Sequence, residues 1–408
     1  MGDILLIGNG FDLAHGLHTS YNDFLYVIKN WTSISTMHRS IRDGNGINES
    51  ESLGKYLKNV SAMDDAKIQL FDKIIERNAW IQYYRKCEAE IDGWIDFERE
   101  IYPVMKLFGK VFSQTRYSVM THGKSEAEIC IPKEEFNNGE INTSELWSTY
   151  FKFDYKSIVV QQQYSSKQYG ILKKKILNSL RKSFDEFILA FEIYLHEFVY
   201  KETNVPIIDQ IRRINPKYVI SFNYTLTEKL YGIKEENVHH IHGKIREDLN
   251  FGKNNMVLGV NEQQDMDFIY FVKYFQRIQK ASGVSYKNFI NSYIRNDRGR
   301  NVKEEYKLHI YGHSLDETDE DILRYIIGKT DEQGRLNLNS KQIVIYYYDA
   351  SDYEQKVVNL IKLYGRPIVE ENIEKEIFKF VKTDNTPINE NFDTYNSLTP
   401  NWYYKVFR

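Results

Sequence analysis

Four short blocks hold the residues best suited to chemistry. Gly8-Asn9-Gly10 with Asp12 lies near the start of the chain. Phe222-Asn223-Tyr224-Thr225 and His239-His240-Ile241-His242-Gly243-Lys244 follow in the second half, then Gly312-His313-Ser314-Leu315-Asp316. A strand that ends in Gly-x-Gly can bring bare backbone N–H groups against a phosphate, because no Cβ blocks the approach. The Asn223 amide can donate and accept, so it can orient a ribose hydroxyl or a water. A histidine at the end of a buried strand, such as His242, can act as a general base near neutral pH. Each block taken singly also reads as turn and capping chemistry; it is their convergence that points to a site.

Other patterns fall short of known motifs. Leu13 occupies the third glycine position of the dinucleotide fingerprint. His196-Glu197-Phe198-Val199-Tyr200 departs from HExxH at Tyr200, and Gly328-Lys329-Thr330 lacks the upstream glycine of a P-loop, which is Leu323. Gly312-His313-Ser314 is similar to a nucleophile elbow whose last glycine is Asp316, which keeps a serine hydrolase with Ser314 as nucleophile among the alternatives. The three clustered histidines raise a metal site, but no partner set of metal spacing accompanies them, so no metal ligand is assigned. In Trp94-Ile95-Asp96-Phe97-Glu98 the two carboxylates point roughly 200° apart on a helix. They read first as helix surface beside core aromatics. The alternative is that one of them leans over the pocket.

The elements that must position these residues are of two kinds. Ile4–Ile7, Tyr218–Ser221, Val238–His242, Lys307–Tyr311 and Gln342–Tyr348 are short, apolar and β-branched, as buried strands are, and Val257–Val260 is a weaker sixth. Asp64–Phe112 and Lys167–Glu202 are charged, with apolar residues at helical spacing. The strands flank the helical block and alternate with helices. That pattern predicts an α/β fold with a doubly wound, Rossmann-like parallel sheet and a large, mainly helical insertion. The expected division is a discontinuous core over residues 1–30 and 206–365, a helical insertion or lid over 31–205, and a C-terminal docking segment over 366–408. Within the insertion, 33–62 and 118–145 read as loops.

With 408 residues, 42% of them hydrophobic, the chain can bury a sizeable core. A net charge of −3 disfavours holding nucleic acid by bulk charge. Two cysteines, Cys87 and Cys130, fit a reducing compartment, and no run is long and apolar enough for a membrane span, so a cytoplasmic protein without a membrane partner is expected.

The blocks as a set resemble the AbiH family, bacterial abortive-infection proteins that act against phage. The resemblance lies in Ile4 to Leu17 with Thr19-Ser20-Tyr21 and Asp23-Phe24, in Trp94–Glu98, Ser221–Thr225, His240–Gly243 and Tyr311–Asp316. It covers about residues 4–330, and His18 stands where a proline is expected. More distantly the block order resembles the sirtuin-like NAD-consuming domains. That likeness aligns Gly8-Asn9-Gly10 with their phosphate loop, Asn223 and His242-Gly243 with their asparagine and His-Gly, and Gly312-His313-Ser314 with their nucleotide block. Thr225 and His313 replace an aspartate and a threonine there, and the four cysteines of the sirtuin zinc ribbon are missing, which disfavours a deacetylase.

The resemblance implies antiphage defence, with NAD or a related nucleotide as substrate rather than resident cofactor. Asn223 and His242 would be catalytic. Gly8, Asn9, Gly10, Asp12, Gly243, Gly312, His313 and Ser314 would hold the nucleotide. A phage-derived trigger or self-association into a homo-oligomer is a further partner that such a toxin could have. The alternatives are a nucleotide-sensing module without turnover and a hydrolase or nuclease of another class.

Overall fold

The computed structural model describes residues 2–43, 56–57, 59–90, 97–113, 117–121, 124–132, 159–161, 168–171, 173–202, 204–261, 265–297, 300–333 and 335–384. Six strands form the central sheet: β1 (Ile4–Ile7), β2 (Tyr218–Ser221), β3 (Val238–His240), β4 (Lys307–Tyr311), β5 (Gln342–Tyr347) and β6 (Phe378–Lys382). All neighbours are parallel, and the order across the sheet is 3-2-1-4-5-6. This is the doubly wound arrangement, whose strand order reverses on either side of β1.

The apolar runs are continuous because both sheet faces are covered. Ile4, Leu6, Ile220, Leu308, Ile310, Ile343 and Ile345 pack on one face beneath α9 (Ser285–Asn291), α10 (Glu320–Ile327), α11 (Ala350–Tyr364) and α12 (Arg366–Glu374). Leu5, Ile7, Val219 and Val344 pack on the other with Phe11 of α1 (Asn9–Ala14) and Ile211 of α7 (Asp209–Ile214). Register sets the next level of organisation. Ile7 lies opposite both Tyr311 and Ser221, and Ser221 lies opposite His240. Four strands therefore end at one level, and the four chemical blocks leave the sheet side by side.

The helical layer has its own core. α2 (Tyr21–Arg42), α3 (Asp65–Arg77), α4 (Ala79–Glu90), α5 (Phe97–Ser113) and α6 (Lys173–Tyr194), which runs on as a π-helix to Tyr200, pack around Phe24, Trp80, Phe97, Phe184 and Phe187. Met256, Leu258, Phe268 and Phe271, from the stretch between β3 and β4, join this core.

Several expectations need correction. Residues 33–42 continue α2, with Ile34 and His38 buried one turn apart, and 59–61 are helical with Val60 buried, so these parts of the expected loop at 33–62 are helix. The expected loop at 118–145 contains an antiparallel pair, Tyr117–Thr121 with Lys124–Pro132. Val257–Val260 forms no full strand; Val257 N–H donates to His242 O at 2.8 Å, and Val260 bridges to Val272. The core does not stop at 365: α12 and β6 continue it, and β6 pairs with β5 as the sheet edge. Phe378 and Phe380 of this edge strand pack toward one face of the sheet and Val381 toward the other, while Lys379 and Lys382 are exposed. Trp402, Tyr403 and Tyr404 lie outside the described residues, as do Trp94, Ile95 and Asp96.

Candidate functional site

The site lies where the loops after β1 and β4 separate from the sheet, at the point where the strand order reverses. Crevices at that place hold ligands in open α/β sheets. Here the two loops interleave. Gly8 N–H donates to Tyr311 O at 3.1 Å and Gly10 N–H to Gly312 O at 2.8 Å. A Cβ on Gly8 would stand 2.7 Å from His313 Cα. One on Gly312, whose φ is +69°, would stand 2.1 Å from Phe11 N. The glycines are required by loop–loop contact. Both N–H groups have backbone acceptors in the loop pair, while Gly8 and Gly10 themselves line the cavity.

Asn223 ties the β2 exit to this loop pair. Its Nδ2 donates to Gly8 O at 2.9 Å, and its backbone N–H donates to Ser221 Oγ at 3.1 Å. His240 Nδ1 lies 3.0 Å from Asn223 O, so that nitrogen carries the proton. Beneath the loop, Asp12 is buried, and its Oδ2 accepts from Thr225 Oγ1 at 2.6 Å. Its Oδ1 is buried without a hydrogen-bond partner. Loss of water pushes the Asp12 carboxyl up to about 7, with the hydrogen bond from Thr225 working against that rise and the charge of Glu228 adding to it.

His242 stands beyond the end of β3, so the alternation of strand faces does not reach it. Its Nε2 lies 3.1 Å from Asp319 Oδ1. Burial alone would raise the Asp319 carboxyl; Lys273, His242 and His313 outweigh it and hold the group well below the usual carboxylate range. An ionised Asp319 only accepts, so Nε2 of His242 carries the proton and Nδ1 keeps a lone pair. That Nδ1 is buried and has no partner. Burial also lowers the imidazole's affinity for a second proton, and Asp319 restores part of it. His313 supports the same carboxylate. Its Nδ1 accepts from Leu315 N–H at 2.9 Å, which puts its proton on Nε2, 3.7 Å from Asp319 Oδ2. The Phe222 ring meets both imidazoles edgewise, at 4.2 Å from His313 and 5.5 Å from His242.

Two charged groups come from the helical side. Lys273, at the start of α8 (Lys273–Gln279), has its Nζ 2.7 Å from Glu98 Oε2 and 3.8 Å from Asp319 Oδ1. Glu98 thus reaches the pocket while Phe97 beside it is core, which joins the two readings of that block. The cavity enclosed is about 880 Å³ and runs on to Tyr348, Asp349, Asp352 and Lys356 at the β5 exit. That volume suits a nucleotide-sized ligand.

Asn9, Gly312, His313 and Ser314 line this cavity with Gly8, Gly10, Asp12, Asn223 and His242. Gly243 does not. Its φ of +74° and its approach to Asn255, where a Cβ would stand 2.1 Å from the carbonyl oxygen, serve a turn. It borders a separate cavity of about 270 Å³ with Glu228, His239 and His240. The three histidines therefore diverge, and among the described residues no group of three or more metal-type side chains could hold an ion. Ser314 is exposed, and among the described residues no hydrogen bond links its hydroxyl to a histidine. Gly328–Thr330 forms a hairpin strand and His196 pairs with Glu197; neither lines the cavity.

Sequence reasoning missed Asp319 and Lys273. Lys273 had a signal, a lone lysine inside the aromatic run Phe268-Ile-Tyr-Phe-Val-Lys-Tyr-Phe275. Asp319 sits in an acidic stretch, Asp316 to Asp321, that reads as a solvated turn.

The sheet order and the crevice at its switch point define the class: a doubly wound α/β protein with a helical layer over its cleft. Its family is shown by sequence. Residues 4–340 match the family described as bacteriophage abortive infection AbiH, and the chain belongs to it. Membership gives the protein a role in abortive infection against phage. No curated protein and no solved structure matches the chain. Among the described residues no helix is long and apolar enough to cross a membrane.

Proposed function

We propose that the protein hydrolyses NAD at the nicotinamide–ribose bond. The observation that carries this reading is His242, backed by Asp319 and with a buried Nδ1 that has no hydrogen-bond partner, among the residues that line a cavity at the switch point. In this reaction a water oxygen bonds to C1′ of the ribose while the C1′–N bond breaks. The bond's electron pair neutralises the pyridinium ring, so nicotinamide leaves without taking a proton. The water's proton is the one that must be removed, and a single base does this. His242 Nδ1 takes it, and Asp319 stabilises the imidazolium that forms.

The other residues orient the sugar and phosphates. Asp12, among the residues lining the cavity, is the carboxyl that would meet a ribose hydroxyl. Asn223 is held by Gly8 through its Nδ2, which leaves its Oδ1 to meet a ribose hydroxyl or the water. With Gly8 and Gly10 N–H groups occupied, the donors for phosphate or the second ribose at the cavity wall are Ser314 Oγ and the Asn9 amide, whose Oδ1 accepts from Thr19. His313 acts through Asp319. NAD is substrate here, and no resident cofactor is needed. A toxic hydrolase must be silent before infection, and the helical layer over the cleft is where a phage-derived trigger or self-association would act.

The test is nicotinamide release from NAD by purified protein beside the His242→Ala variant. Release that the variant loses supports the reading. Release that the variant keeps removes His242 from the chemistry. Tight binding of intact NAD without product identifies a nucleotide sensor, and neither binding nor release overturns the reading.

A further inference from the structure

We infer that Glu98 of the helical layer is a positioning residue for the His242–Asp319 pair: it neutralises Lys273 and so governs how strongly Lys273 competes with His242 for Asp319. The inference rests on His242 being the base of the site. Four groups of alternating charge lie in a row. Glu98 Oε2 is 2.7 Å from Lys273 Nζ, that Nζ is 3.8 Å from Asp319 Oδ1, and the same Oδ1 is 3.1 Å from His242 Nε2. Their side chains are between 5% and 16% exposed, so water screens none of these links well.

Asp319 Oδ1 faces two groups at once, the ammonium of Lys273 and the ring of His242, which becomes a second cation when it takes up a proton. An ammonium with no other counter-charge draws the carboxylate toward itself and opposes a second positive charge on His242. Glu98 on the far side of Lys273 relieves that competition. Other charged and polar groups also face the pair. His313 Nε2 meets the opposite oxygen of Asp319 at 3.7 Å, Arg277 one turn along α8 is held by Asp321 at 3.0 Å, and the Tyr224 hydroxyl donates to Val257 O at 2.7 Å. Asp12 lies on the same cavity wall, with its Oδ2 bound by Thr225.

Glu98 comes from α5, whereas Asp319 and His242 come from loops of the sheet. The state of the base therefore depends on the helical layer being seated. Withdrawal of α5 would weaken the base without any contact between that helix and the substrate.

The test is the titration of the His242 ring, followed by NMR in histidine-labelled full-length protein. Glu98→Gln should move its midpoint down and Lys273→Met should move it up, each by about 0.5–1 pH unit. Glu98→Asp, which keeps the charge on a shorter arm, should give a smaller shift than Glu98→Gln. It also serves if the glutamine variant does not fold. Midpoints that stay put, or that move in the same direction in the Gln and Met variants, overturn the inference. If NAD is hydrolysed, the acid limb of the rate profile should follow the same shifts. The NMR titration decides the point even where no NAD is turned over, so failure of this coupling and failure of the NAD reading are told apart.

Discussion

Asp319 holds His242 by one edge of its ring, Oδ1 to Nε2 at 3.1 Å, and leaves the other edge without a partner. The pair joins the loop after β4 to the turn after β3, so the orientation of the base depends on two separate chain segments. Asp319→Asn keeps the size of the side chain and removes its charge. The imidazole then loses the acceptor that fixes its tautomer and the charge that stabilises its protonated form. Nicotinamide release should fall roughly 10²–10⁴-fold with the circular dichroism spectrum unchanged. An unchanged rate would show that His242 does not work through Asp319.

Asp12 should cost the fold stability at neutral pH. Its carboxyl is pushed up to about 7 by burial, so between roughly pH 4 and 7 the folded chain holds a proton that the unfolded chain releases. Stability falls as pH rises through that window and stays lowered above it. Asp12→Asn should therefore be more stable than wild type at pH 8, by about 1–4 kcal/mol, with a smaller gap at pH 5. Urea unfolding at the two pH values measures this. A group kept at the expense of stability is one that function needs, so the same variant should bind ligand less tightly.

His15 and His239 act in the opposite sense. Burial lowers both to about 4. His15 is also fixed between Phe11 O, 2.6 Å from its Nδ1, and the Tyr231 hydroxyl, 2.7 Å from its Nε2. As pH falls below about 6.5 the unfolded chain takes up protons that the folded chain refuses. The stability these rings contribute is complete above that value and is lost toward pH 4. His239→Gln should flatten the drop in unfolding free energy between pH 6.5 and 5 by about 1–2 kcal/mol.

Two glycine substitutions separate backbone conformation from loop contact. Gly16 and Gly312 both have positive φ, +73° and +69°. A Cβ at Gly16 meets nothing within 4 Å, whereas one at Gly312 lies 2.1 Å from Phe11 N. Gly16→Ala should cost about 1 kcal/mol. Gly312→Ala should cost about 3 kcal/mol or more, because the β1 and β4 loops can no longer interleave. Equal melting temperatures for the two variants would contradict that account of the switch point.

Much of the fold is legible in the chain. Ile4–Ile7, Tyr218–Ser221 and Lys307–Tyr311 fall at their expected bounds, because strands covered on both faces leave unbroken apolar runs. The edge strand Phe378–Lys382 escaped notice because its alternation is short and follows a charged helix. The tyrosines, phenylalanines and tryptophans of the helical block announce a second core, but not that residues 256–271 would be drawn into it. Of the site, Asn223, His242, His313 and Asp12 were readable as polar residues at strand ends. The use to which Gly8 and Gly10 put their N–H groups was not.

The sequence by itself determined five of the six strands of the central sheet, that they run parallel, and which polar groups leave the sheet at its carboxyl edge. Those properties are local, written in apolar runs and in the residue types that follow them. Only the tertiary structure decided the 3-2-1-4-5-6 order, the pairing of His242 with Asp319 across 77 positions, and the reach of Glu98 to Lys273. Each of these depends on how distant segments cross and pack. The chemistry of a carboxylate beside an imidazole has no trace in the spacing of either residue along the chain.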